Sequence, residues 1–414
     1  MIRKLTLVLF VILSCSIGIG SDMHYIDNPC VFSSGGFKLG NEVLLSDRME
    51  LLTGKNVALI TNQTGITSDG KHLIDKLSEK GVKIVKIFTP EHGFGSDDKY
   101  GHTGTDIPVI SLYGSNKSFP EGSLNDVDVV IYDIQDIGAR FYTYTSTLYL
   151  TMKDVIRLKK KYIVCDRPSV ANLNYTGGFM LDEKFSSFVG MIPVPVVYGM
   201  TCGELALYLS NQISGETPNS NLEVIKMKGY KRQTDYSGLN LPWINSSPNI
   251  TSLESARLYP ALCFLEGTNI SEGRGTDLPF QYAGAPFVDG QALSDELNSY
   301  NLPGIKFDAV KFTPDKIISS YTPKFLNKKC GGVKLSMTDI NSFKPAETSV
   351  AVLCALKKVC PEFKWTEKNF IDRLAGTDIL RKMVNQGASW NEIAAAWVPD
   401  ISAFILLREK FLLY

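Results

Sequence analysis

A chain of 414 residues that is 44% hydrophobic carries enough apolar side chains for two folded domains and lies far from the composition of a disordered protein. Lys plus Arg number 43 and Asp plus Glu number 43, so no global field draws in nucleic acid or an anionic membrane, and a charged ligand has to be met locally. No nucleic-acid partner is expected.

The first residues read as an address. "MIRK" is a basic start, "LTLVLFVIL" is an apolar run and small residues follow, which is the layout of a secretory signal and too short to span a bilayer. Residues 1–20 are assigned to that signal. Within it "ILSC", Ile12 to Cys15, resembles a bacterial lipobox whose cysteine becomes the lipidated N-terminus, whereas cleavage after Gly20 would release a soluble protein. The expectation is an exported protein, periplasmic, membrane-anchored or secreted, that meets the membrane only through such an anchor. Residues 21–40 are polar and without period, and read as a tether.

Four short apolar runs follow, each with a polar ending: "NVALITN" (56–62), "VKIVKIFTPEH" (82–92), "DVDVVIYDIQD" (126–136) and "KKYIVCDRP" (160–168). Each predicts a buried parallel strand. Between them "GKHLIDKLSEKG", with Leu73, Ile74 and Leu77 on one face and Gly81 as a stop, and "STLYLTMKDVIRLKKK" predict helices. The alternation predicts a doubly wound α/β domain over residues 41–257. "MTCGELALYLSNQI" adds a helix opened by a capping box, Thr201 to Glu204. Residues 236–257, rich in Pro, Ser and Asn, read as a long connection. A smaller α+β domain, 258–414, then opens with the apolar run of "YPALCFLEGTNISEGRGTD", read as a strand, and a Gly-rich loop carrying Glu266, Asn269, Glu272 and Arg274.

Ligands of open α/β sheets bind beyond the carboxyl ends of the strands. The endings here are Asn62, Glu91 with His92, Asp133 with Gln135 and Asp136, and Asp166 with Arg167, and they are expected to converge on one cleft. No phosphate-cradling or dinucleotide loop is present, and no Gly-x-Ser-x-Gly elbow. His92, His102, Asp97 and Asp106 match no zinc spacing. Neither cofactor nor metal is expected. What remains is Glu91, at a strand end and walled by Ile and Phe, a placement suited to a general acid for a glycosidic oxygen; a Glu that pairs with Arg140 to organise the loop is the other reading those residues allow. Phe141, Tyr142 and Tyr144 in "ARFYTYTS" could stack on a sugar face or simply pack.

Longer strings add a resemblance. "GKNVALITNQTGIT", "FTPEHGF", "DVVIYDIQDIGARFYTYTSTLYLTM", "SFVGMIPVPVVYGMTCGELA", "LPWINSSPN" and "YPALCFLEGTNISEGRGTDLPFQYAGAPF" resemble, in order, the NamZ/YbbC family of bacterial exo-β-N-acetylmuramidases. The resemblance implies a Rossmann-like first domain, a smaller second domain, and release of terminal N-acetylmuramic acid from peptidoglycan fragments, so the partner is a peptidoglycan-derived sugar or muropeptide. It also places the catalytic glutamate of the Pro-Glu-His-Gly motif on Glu91; Asp133, Gln135, Asp136, Arg140 and Arg167 are expected, from their places at and after the strand ends, to line the cleft around it. Three residue pairs depart from the family: Gly95 and Ser96, Ser169 and Val170, and Val197 and Tyr198 stand where it carries Arg-Gly, Asn-Pro and Arg-His. Two basic residues are thereby missing. A muramic acid site meets a lactyl carboxylate, and Arg140, Arg167, Arg274 and Lys99 are the candidates to replace that charge, Arg274 reaching over from the second domain on a loop loosened by Gly273 and Gly275. A muropeptide-binding lipoprotein without catalysis, or a glycosidase for another amino sugar, are the alternatives.

Overall fold

The computed structural model describes residues 36–94, 107–215, 219–319 and 321–414. The signal and its Cys15, most of the tether, and Gly95, Ser96, Asp97, Lys99, His102 and Asp106 lie outside the described residues.

Six strands, β1 (Asn56–Thr61), β2 (Lys83–Thr89), β3 (Val109–Ser111), β4 (Val129–Asp133), β5 (Lys161–Cys165) and β6 (Leu222–Ile225), form one parallel sheet in the order β3-β2-β1-β4-β5-β6. All four expected strands are present. β3 and β6 are short and partly exposed, so they lack the apolar run by which the others are visible. The order reverses beside β1, between β2 and β4, as in a Rossmann-like sheet. β1 and β4 pair from Val57 with Val129 to Thr61 with Asp133, which brings their polar ends side by side.

Helices α1 (Gly40–Asp47), α2 (Leu73–Glu79), α3 (Tyr144–Arg157) and α4 (Cys202–Ser214) flank this sheet. α2 ends before Gly81, whose φ of 75° suits glycine. α4 opens with the expected capping box: the Thr201 hydroxyl accepts from Glu204 N, and Glu204 accepts from Thr201 N. The end of the expected tether already belongs to the fold, since Leu39 is buried and Lys38 bridges to Lys228.

The chain then departs from expectation. Residues around Leu258 form helix α5 (Leu253–Leu262), continued by a 3-10 turn over Cys263–Gly267, where the sequence suggests a strand. Ser252 caps it by accepting from Ser255 N, and residues 255–262 are all buried. A helix that is buried on every side lacks a clear apolar stripe, and the apolar run Leu258–Leu262 within it cannot be told from a buried strand by period alone. Beyond it β7 (Tyr282–Ala285), α6 (Gly290–Ser299), β8 (Ile305–Phe312) and β9 (Cys330–Met337) lead to helices α7 (Pro345–Val359), α8 (Phe370–Ala375), α9 (Ile379–Asn385) and α10 (Trp390–Arg408). The three strands form an antiparallel sheet, β7-β9-β8. The molecule thus pairs an α/β sheet with a smaller α+β part, as the sequence implies. One apolar core runs through both, with Phe141 lying 5.4 Å from Tyr259 and 5.7 Å from Phe264 between ring centres.

Candidate active site

The polar strand ends do not share one cleft. They divide into a filled crevice and an open cavity.

The crevice lies where the strand order reverses. Asp133, at the end of β4, takes both arms of Arg167, Nε at 2.6 Å and Nη2 at 2.9 Å, and also accepts from Asn41 Nδ2 at 3.0 Å. Arg167 donates further to the carbonyl of Ile66. Both partners are almost fully buried, at 1% and 4% exposure, so the pair satisfies itself and plugs the place where a Rossmann-like sheet would hold a ligand. Small hollows of about 20 and 10 Å³ lie beside it, touched by Gln135, Asp136 and Arg167. Gln135 donates to the carbonyls of Asp136 and Pro168. Asp136 is half-buried, but its carboxyl is shielded from water, which raises it, and it accepts from the hydroxyl of Tyr198. Tyr198, one of the departures from the family pattern, therefore serves this interior carboxyl.

Arg140 corrects the sequence reading more sharply. It is fully buried, donates to the carbonyls of Phe179 and Val194 at 2.8 Å each and of Leu374 at 3.1 Å, and neither lines a cleft nor meets Glu91. Burial lowers its guanidinium to about 9. It ties the first half of the chain to α8.

The open cavity lies to the β2 side and measures about 270 Å³. Glu91, His92, Tyr142, Tyr144 and Arg274 line it, joined by Glu266, Phe280 and Tyr321. Glu91 follows β2 and is half-buried. Its Oε2 accepts from the Thr143 hydroxyl at 2.6 Å. Thr143 is the N-cap residue of α3 but makes no side-chain cap, which leaves its hydroxyl for Glu91. Tyr113, just past β3, also faces this carboxylate, and the contact pushes its phenol up to about 12. His92 holds a φ of 73°, a conformation that costs a non-glycine residue energy and recurs at functional turns. Its backbone turn leaves part of the residue open to solvent, yet desolvation of the ring lowers the imidazole, with Glu91 opposing and Arg274 adding to the effect.

The tyrosines are fixed rather than mobile. Tyr142 donates to Ser246 Oγ at 2.8 Å, Tyr144 donates to the Ser246 carbonyl, and Asn62 Nδ2 donates to the Tyr144 hydroxyl at 3.0 Å. Their rings meet edge to face at 4.7 Å. Asn62 thus stands behind the wall, not on it.

Across the cavity Arg274 lies between the rings of Phe280 and Tyr321, at 4.7 and 5.0 Å. It pairs with Glu266 at 2.8 Å and with buried Glu272 at 3.2 Å. Burial alone would raise Glu272; Lys324 and Arg274 overcome it and hold the carboxyl below its usual range. The guanidinium is therefore engaged by the protein's own carboxylates. Gly273 and Gly275, both at φ 81°, shape that loop for its own packing: a Cβ on Gly275 would come within 2.5 Å of Pro323. Sequence reasoning left Tyr113, Thr143 and Tyr321 out of the site and offered Glu266 only as a partner, with Glu272, that would hold Arg274 in its loop, which is the pairing the structure has. Thr143 and Tyr113 had no signal beyond following a strand or preceding a helix, and Glu266 read as one of several loop charges.

Family models describe this architecture. The N-terminal model of the exo-β-N-acetylmuramidase NamZ matches residues 57–254 and its C-terminal model residues 257–414. The chain belongs to the NamZ family. It is 37% identical over 384 residues to the peptidoglycan β-N-acetylmuramidase NamZ of Bacillus subtilis (strain 168), covering 91% of each chain. Two solved structures of DUF1343 family proteins from Bacteroides fragilis NCTC 9343 share the fold, with TM-scores of 0.83 and 0.73 and identities of 34% and 35%. Each comparison covers 91% of this chain and 99% of the solved one.

Proposed function

We propose that this protein is an exo-acting glycoside hydrolase that removes terminal β-linked N-acetylmuramic acid from peptidoglycan fragments, with Glu91 as the general acid. One observation carries the assignment of Glu91: its carboxyl lies on the wall of the 270 Å³ cavity, oriented by the neutral hydroxyl of Thr143 and bonded to no cation among the described residues. A carboxyl so placed can deliver a proton to a glycosidic oxygen, while one locked to an arginine, as Asp133 is, cannot leave its partner. Tyr142 and Tyr144, held by Ser246 and Asn62, supply rigid aromatic wall for a sugar face. Kinship to a peptidoglycan β-N-acetylmuramidase supports the substrate class.

In this reading residues 41–257 form the catalytic domain, and residues 258–414 close the cavity with Glu266, Arg274, Phe280 and Tyr321. The protein is exported and anchored through Cys15, and Cys15→Ser is expected to move it from the membrane fraction to the soluble exported fraction; unchanged membrane association would reject the anchor.

The test is turnover of aryl glycosides of N-acetylmuramic acid and N-acetylglucosamine by purified protein. Release from the muraminide with little from the glucosaminide is expected. Preference for the glucosaminide would reassign the sugar, and binding of muropeptide without turnover of either would make this a binding protein.

A further inference from the structure

We propose that Glu266 is the second catalytic carboxylate, acting on the face of the sugar ring opposite the leaving group; the inference rests on the glycosidase reading above. Glu91 and Glu266 line the same cavity but come from distant parts of the chain, one from the end of β2 and one from the 3-10 turn after α5. Their surroundings differ in kind. Glu91 is held by a hydroxyl, whereas Glu266 Oε1 carries the ion pair to Arg274 Nη2 and a weaker contact from Cys263 Sγ at 3.6 Å. Arg274 itself is fixed by Glu272 and by the rings of Phe280 and Tyr321. It supplies the countercharge that an ionised carboxylate needs in a half-enclosed cavity. The other oxygen of Glu266 has no hydrogen-bond partner among the described residues and remains for the substrate. Glu91 and Arg274 act with opposite sign on the ring of His92, so the two walls lie within electrostatic reach of each other.

Two carboxylates with different neighbours divide the labour of glycoside cleavage. Glu91 gives its proton to the glycosidic oxygen as the bond to the anomeric carbon breaks and the bonding pair leaves on that oxygen. On the opposite face the step balances if Glu266 takes a proton from a water whose oxygen bonds to the anomeric carbon. It balances equally if a Glu266 oxygen forms that bond and water later displaces it. Both forms place Glu266 on the same face, and the anomer first released by the wild-type enzyme separates them.

The experiment uses Glu266→Ala with a nitrophenyl muraminide, whose leaving group needs no proton, with and without sodium azide. Turnover is expected to fall by about 100-fold or more, and azide is expected to restore it and yield the α-glycosyl azide. In that product the azide nitrogen bonds to the anomeric carbon from the vacated face while nitrophenolate departs with the bonding pair. A β-glycosyl azide, or a loss that azide does not relieve in a protein with wild-type melting behaviour, overturns the proposal. Glu266→Gln preserves shape and Arg274 contact, and covers the case in which the alanine variant does not fold. If it turns over the substrate within about threefold of wild type, the role of Glu266 is refuted while the glycosidase reading stands. A wild-type protein inert on every muraminide removes both.

Discussion

Asp133 and Glu91 stand two strands apart at the same edge of one parallel sheet, and their fates are opposite. Asp133 ends β4 in the crevice where a Rossmann-like sheet receives its ligand, yet Arg167 and Asn41 occupy its oxygens and the ion pair is buried. Glu91 follows β2, on the far side of β1 from β4, keeps part of its surface, and meets a hydroxyl and a phenol. The crevice is therefore spent on holding the sheet together, and the chemistry is displaced sideways to where the second half of the chain can roof it. A carboxylate at a strand end acquires its role from what reaches it, and cations reached Asp133 first.

The contrast can be broken from either side. The largest effect expected is on Asp133: replacing it with alanine strands the buried Arg167 guanidinium and should destabilise the fold by roughly 3–5 kcal/mol in denaturant titration, whereas Glu91→Gln should leave stability within about 0.5 kcal/mol of wild type. Equal losses would mean that Glu91 is as structural as Asp133.

Asp166 gives the next effect and one with a pH signature. It ends β5, and burial raises its carboxyl to about 6 even though Gly203 N, Thr201 and Tyr414 donate to it. The folded state thus holds a proton more tightly than the unfolded chain, so Asp166 contributes a penalty that is absent below the unfolded value of 3.8 and fully developed above about 6. Stability should fall across that window by at most about 3 kcal/mol on this account, and Asp166→Asn should flatten the slope of melting temperature against pH. A slope unchanged by the substitution would place the cause elsewhere.

The smallest effect sharpens the Glu91 side. Thr143→Val deletes the hydroxyl that orients Glu91 without altering shape, and losing a hydrogen bond worth about 1 kcal/mol should appear as roughly a fivefold fall in kcat with KM little changed. A fall in KM-governed binding alone would make Thr143 a substrate contact.

The sheet was legible because its strands are continuous apolar runs that end in polar residues, and α4 because Thr201 and Glu204 cap it in a recognisable spacing. α5 was not, since a helix buried on every side loses the period that marks it. In the site, Glu91 and Arg274 could be singled out by type and loop position, but the sequence could not show that Arg274 is already held by Glu266 and Glu272, or that Arg140 spends its donors on carbonyls as distant in sequence as Leu374. Arg140 reaches a carbonyl 234 residues away, whether Arg274 keeps Glu266 and Glu272 or turns to a ligand is decided by the packing of its own loop, and strand-end arguments treat all charged endings alike. Thr143 illustrates the opposite failure: an ordinary helix-start threonine whose value lies in the cap it does not make.

The central claim is that Glu91 protonates the leaving oxygen, and the most direct measurement compares wild type with Glu91→Gln on two leaving groups. With a sugar as leaving group the variant should lose about 100- to 10,000-fold in kcat, while with nitrophenolate, which departs without a proton, the loss should be far smaller. Equal losses on both, or activity within about threefold of wild type on the sugar substrate, would contradict the account.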